Sequence, residues 1–160
     1  MTHALTKTTS AKHPIVLRVI AGAPLLAFGI MHLSGAAPMR PLIEAAGLPM
    51  PGITATMGTL TQILAGLLLL AGAFVRVGGA IAILNMLAAL YTHIQIPNDA
   101  WPIPVDTAPN PEPLPLMGLA AVIIIVSAYL LYKGAGAWSV DHKLTNKTQE
   151  TTSDHQPTNG

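Results

Sequence analysis

The chain contains no cysteine. That removes disulfides, thiol nucleophiles and Cys-ligated zinc or iron–sulfur clusters in one step. Charge is scarce as well, with charged residues making up 9% of the 160 positions. A soluble domain carries about 25%, so this chain lacks the means to cover a water-facing surface. A net charge of +1 gives no electrostatic basis for binding nucleic acid. Self-contained enzyme fingerprints are missing too: there is no Walker loop, no GxGxxG, no HExxH and no nucleophile elbow. The apolar stretches hold no carboxylate, the group on which ion-driven transporters depend.

What is present is apolar and segregated. Half of the residues are hydrophobic and the mean hydropathy is +0.54. They gather into four runs, about 15–34, 54–75, 77–96 and 114–132. A helix needs about 20 residues to cross a hydrocarbon core of ~30 Å. Lipid offers no hydrogen-bond partner, so the backbone of each run must satisfy itself as an α-helix. The expected fold is therefore all-α, a bundle of four transmembrane helices spanning 15–133. Residues 1–14 and 134–160 are polar tails. Pro24 frees a carbonyl within the first helix and favours a kink. A cleaved signal peptide competes for this first run, with small residues Ser34 to Ala37 after it. Its length and Pro24 favour a retained span.

The connections differ in kind. Spans two and three are separated by little more than Arg76, with Gly72, Gly78 and Gly79 around it, which predicts a tight antiparallel hairpin. Between spans one and two, Met39 to Ala46 is expected to form a short surface helix stopped by Gly47. The stretch from Pro97 to Pro115 holds seven prolines and should be extended. With the N-terminus inside, Lys7, Lys12, Arg18, Arg76, Lys133, Lys143 and Lys147 lie on the cytoplasmic side. Of the eight basic residues only Arg40 then lies outside, together with Glu44, Asp99, Asp106 and Glu112. This is the positive-inside pattern and predicts that both termini are cytoplasmic. Trp101, in the outer loop, suits an interfacial anchor.

Small and polar residues share helix faces at i, i+4, i+7, i+11 and i+14. The stripes are Arg18, Gly22, Leu25, Gly29 and His32; Gly58, Gln62, Ala65, Leu69 and Gly72; and Gly78, Ala82, Asn85, Ala89 and Thr92. Ala120, Ser127 and Gly134 repeat the idea in the fourth span. In membranes such faces pack helix against helix, so a polar seam is expected inside the bundle. Gln62 and Asn85 lie at similar depth well inside the bilayer. They read either as a mutual or backbone hydrogen bond joining two helices, or as a polar site for a ligand such as a quinone head group.

His32 and His93 close the first and third spans near the outer face. They read as interfacial side chains bonded to loops or water, as proton-transfer groups beside a quinone, or as axial ligands. Two histidines without a flanking motif specify no metal, and haem is disfavoured. Arg18 and Arg76 open outward-running spans and read as orienting, snorkelling residues. Arg40 reads as the partner of Glu44 four residues on, or as a contact for an anionic substrate from outside. Arg18-Val19 with His32 and Arg76-Val77 with His93 suggest a repeat of two helical hairpins.

Taken together the chain resembles the DoxX family of small bacterial membrane proteins. The resemblance runs from about Val16 to Asp141. It is carried by Arg18 and Phe28-Gly29 in the first span, Gly47-Leu48-Pro49 before the second, and Gln62-Ile63-Leu64-Ala65-Gly66 with Gly72 and Arg76. Gly134-Ala135-Gly136-Ala137-Trp138-Ser139-Val140-Asp141 completes it. The resemblance implies a four-helix protein of the bacterial cytoplasmic membrane. It also implies a link to membrane redox chemistry, since some members are subunits of thiosulfate:quinone oxidoreductases and others belong to oxidative-stress complexes. Where members often carry a glutamate in the second span, this chain has Gln62, and an amide cannot shuttle a proton. The expectation is an accessory or quinone-contacting subunit, with His32, Gln62, Asn85 and His93 touching the ligand and a redox enzyme as partner. The alternatives are a non-enzymatic membrane scaffold and a small-molecule carrier. Exposed glycines also make a homo-oligomer an option.

Overall fold

The computed structural model describes residues 14–97, 113–134, 136, 139 and 140. These form α1 (Pro14–Ser34), α2 (Arg40–Ala45), α3 (Pro51–Ala71), α4 (Val75–Gln95) and α5 (Pro113–Lys133), and no strand is present among them. The polar tails, the proline-rich segment with Asp99, Trp101, Asp106 and Glu112, and Ala135, Ala137, Trp138 and Asp141 of the glycine-rich run lie outside the described residues.

The four long helices are 21 residues each, about 31 Å at 1.5 Å per residue. All four are long and apolar enough to cross a membrane. Their outward surfaces carry Val16, Ile30, Leu33, Leu64, Leu67, Leu84, Ile94 and Ile125, each at least 45% exposed. Exposed apolar area on this scale is stable against lipid and not against water. The protein is therefore a multi-pass integral membrane protein.

Helix boundaries shift from the sequence reading where turn chemistry decides them. The second span starts at Pro51, not Thr54, because proline suits the first position of a helix. It stops at Ala71, where Gly72 takes the left-handed conformation (φ 68°) and its N–H bonds back to the Leu69 carbonyl. Gly72 to Phe74 make the turn, so Arg76 sits inside the first turn of α4 rather than between the spans. The short surface helix forms as Arg40–Ala45, followed by Gly47 at φ 66°.

The helices form a closed ring: α1 packs on α3, α3 on α4, α4 on α5 and α5 back on α1. The diagonal pairs, α1 with α4 and α3 with α5, make little direct contact. The expected small-residue stripes face inward. Arg18, Gly22, Leu25 and Gly29 are buried in α1, and Gln62, Ala65 and Leu69 in α3. Gly78, Ala82 and Met86 are buried in α4 and Ala120, Ile123, Ser127 and Leu130 in α5. The closest approach joins α1 to α3. A Cβ on Gly66 would lie 2.8 Å from the Leu26 backbone nitrogen and 3.0 Å from the Gly22 carbonyl oxygen. No other residue permits that approach.

The arginines do not snorkel in the way the sequence suggested. Arg18 is 4% exposed, and its Nη2 donates to the Leu70 carbonyl at 3.4 Å. Arg76 Nη2 donates in the same way to the Tyr132 carbonyl at 3.4 Å. Each arginine thus caps the end of the second helix of its own hairpin, two residues before a left-handed glycine, Gly72 or Gly134. The last-turn carbonyls of a helix have no intrahelical partner and carry partial negative charge, which explains why a buried cation is tolerated there.

Candidate functional site

At the end of the bundle opposite the two arginines, the ring opens into a cavity of about 190 Å³. Its walls come from all four long helices, and α2 borders it through Leu42 and Ile43. The cavity lies inside the ring, where neither diagonal pair closes. Pro24, Leu25, Phe28, Met86, Leu116 and Ile123 make much of the wall apolar. His32, Gln62, Asn85 and His93 all line it, so the structure brings these four residues of the sequence reading to one place.

Their roles within it differ. Asn85 Nδ2 donates to the Gly58 carbonyl at 2.9 Å and to the Thr61 hydroxyl at 2.8 Å. Both amide hydrogens are thereby committed to α3. Of the two readings of the Gln62–Asn85 pair, Asn85 follows the first in its backbone form: it joins helices, and its partner is not Gln62.

Gln62 is 5% exposed, and its Oε1 is buried with no hydrogen-bond partner among the described residues. An unsatisfied buried carbonyl costs about 1–3 kcal/mol. Because α3 begins at Pro51, Gln62 lies eleven residues from that end, about 16 Å along the helix. That is mid-membrane, where water is least able to satisfy it.

The two histidines are held by the same atom. His32 Nδ1–H donates to the Ala37 carbonyl, which ties the end of α1 to the loop before α2. Its ring also lies 6.4 Å from that of Phe28, one turn below. His93 Nδ1–H donates to the Ala89 carbonyl of its own helix at 2.7 Å. A carbonyl can only accept, so each Nδ1 carries the proton, and in the neutral ring Nε2 is an acceptor.

Arg40 is not part of this cavity. It lines a separate cleft of about 260 Å³ with His32, Pro38, Met39, Thr56 and Thr59. Its Nε–H donates to Glu44 Oε1 at 2.6 Å on an exposed face. His32, Pro38 and Met39 border both spaces. Met39 packs over Gly58, where a Cβ would stand 3.2 Å from its sulfur.

Sequence reasoning missed the contributions of Phe28, Met39 and Thr54 to these walls. Phe28 carries a signal that could have found it, since it lies four residues before His32. The positions of Met39 and Thr54 depend on how the loop folds back, and no periodicity encodes that. Among the described residues no group of three His, Cys, Asp or Glu side chains is placed to hold a metal ion.

The family model DoxX matches residues 13–94, just over half of the chain. It covers α1 through nearly all of α4, the segment that supplies His32, Gln62, Asn85 and His93. The Gly134–Asp141 run, part of the resemblance read from the sequence, lies beyond it. No curated protein and no solved structure matches the chain.

Proposed function

The chain belongs to the DoxX family, and from that premise we propose that it is an accessory, quinone-contacting subunit of a membrane redox complex. The observation that carries this reading is the unpartnered Gln62 Oε1 at mid-membrane depth in the wall of a largely apolar cavity. A pocket of apolar surface with a few convergent polar groups is the usual form of a small-molecule site. A quinone ring suits it, being flat, apolar across its faces and polar at two edges. His32, Gln62 and His93 are the groups that would meet those edges, while Asn85 holds α3 to α4 behind them. When bound, the quinone supplies two-electron carrier chemistry. This chain contributes position, exclusion of water and hydrogen bonds. With no thiol and no intramembrane carboxylate, it relies on a partner enzyme for the electron-transfer step.

The same reading places the protein in a bacterial cytoplasmic membrane with both termini inside. Arg18, Arg76 and Lys133 share one end of the bundle and Arg40 lies at the other, a distribution that favours this orientation. Reporter fusions at the two ends should be active in the same, cytoplasmic compartment.

The test of the ligand is extraction in mild detergent followed by analysis of the bound lipid-soluble fraction. A stoichiometric quinone that is lost on replacing His32 and His93 with Ala supports the reading. Protein free of quinone, unable to bind added quinone, overturns it in favour of a scaffold. Uptake of a solute into proteoliposomes would point instead to a carrier.

A further inference from the structure

Two spaces meet at the histidine end of the bundle, the cavity and the cleft beside Arg40. Three residues form the wall between them: His32, Pro38 and Met39. They differ in freedom to move. His32 is held through Nδ1 by the Ala37 carbonyl. Pro38 is held by its own ring, which fixes φ. The Met39 backbone stays in place, since its carbonyl accepts from the Ile43 N–H at 3.3 Å. Its side chain is unbranched, with three rotatable bonds. Its sulfur lies over Gly58, a residue with no side chain to grip it.

Most of the remaining wall is shut. α1 and α3 meet at Gly22 and Gly66 with no room for a Cβ. Asn85 straps α4 to Gly58 and Thr61 of α3, and α4 packs closely on α5. The α1–α5 seam is the loosest of the four and is the competing way in.

We infer that the cavity is reached from the cleft, through a passage that the Met39 side chain closes. The inference rests on the proposed quinone-contacting role for the identity of the ligand, and adds the route by which that ligand arrives. The cleft suits a molecule with a polar edge and apolar faces. Its lining mixes His32, Thr56 and Thr59 with Leu33 and Leu60, and the two leucines are 67% and 48% exposed. A quinone passing Met39 keeps its polar edge beside His32 and then meets Gln62 close by. Gly29 of α1 stands against Ile63 of the antiparallel α3, which sets His32 level with Leu60 and within about 3 Å of Gln62 along the bundle axis.

The experiment measures association and dissociation rates of a decyl-substituted benzoquinone on the full chain in lipid nanodiscs. Met39→Ala removes the obstruction and should raise both rates at least fivefold. Ala55 lines the cleft but not the cavity. Ala55→Trp should therefore lower both rates at least fivefold and shift the affinity less than twofold. Rates that stay the same in either variant overturn the inference, while the quinone-contacting role stands. A Met39→Ala effect confined to dissociation makes Met39 a ligand contact instead of a gate and overturns it as well.

A second measurement needs no quinone. Ala120→Cys places a single thiol in the cavity wall of a chain that has none. A charged methanethiosulfonate added in water should label it at least fivefold faster alongside Met39→Ala and at least fivefold slower alongside Ala55→Trp. If the unaltered protein binds no quinone, the quinone-contacting role falls and this labelling alone decides the passage. Equal labelling rates in the three backgrounds then overturn it.

Discussion

The guanidinium of Arg18, in the second turn of α1, donates to the carbonyl of Leu70 in the last turn of α3 across 3.4 Å. Arg76 and Tyr132 repeat the relationship in α4 and α5 at the same distance. Two hairpins, each with an arginine from its first helix capping its second, make a ring whose arginine end is tied shut. The histidine end is left with the cavity. The repeat is imperfect. Arg18 is buried and Arg76 half-buried, and His32 lies 14 residues beyond its arginine whereas His93 lies 17 beyond.

Arg18→Met should therefore cost more than Arg76→Met. The first leaves the partly buried Leu70 carbonyl without this donor, worth about 1–3 kcal/mol. The second frees the more exposed Tyr132 carbonyl and should cost under half as much. Unfolding in mixed detergent micelles, followed by loss of helical circular dichroism, measures both. Equal costs would show that the two caps are equivalent.

Gly66→Ala should separate α1 from α3, because the added methyl meets backbone atoms of Leu26 and Gly22 at 2.8 and 3.0 Å. Overpacking of this kind costs about 1–3 kcal/mol. Gly118→Ala, where a Cβ meets nothing within 4 Å, serves as the matched control and should not destabilise. The same unfolding assay compares them.

Asn85→Leu removes two bonds between α4 and α3. Polar contacts between membrane helices contribute about 0.6 kcal/mol on average and up to about 1.7 kcal/mol, so a loss in that range is expected. Thr61→Val should remove part of it. A double-mutant cycle of the two checks that they act as one unit.

Gln62→Leu should behave in the opposite sense. It replaces an unsatisfied buried amide by an apolar group, so stability should hold or rise by about 1 kcal/mol. Quinone binding should fall. A gain of stability at the expense of binding is the signature of a group kept for function. A loss of stability without change in binding would assign Gln62 to packing instead.

Much of the membrane architecture was legible from residue order. Helical spacing identified which face of each span turns inward, because a membrane helix must bury its small and polar side chains against its neighbours. The same spacing singled out His32, Gln62 and Asn85, and the place of His93 at the end of its span, matching that of His32, singled out the fourth. Spacing put Arg18 on the inward stripe of α1, but its place at the end of the span suggested headgroup contact, because the carbonyl it meets belongs to another helix and is not encoded along its own. The hairpin turn was displaced to Gly72–Phe74 because a left-handed glycine, rather than the nearby charge, ends the helix.

By itself the order of residues determined that four helices form, how long they are and which stripe of each faces inward. Those properties arise within single segments, from backbone hydrogen bonding in a medium that offers none. Only the tertiary structure decided that Asn85 spends both donors on α3, that Gln62 Oε1 has no partner among the described residues, and that Arg40 stands apart from the cavity. Each of these depends on which atoms of separate helices meet, and that is settled by close packing across the ring rather than by spacing along the chain.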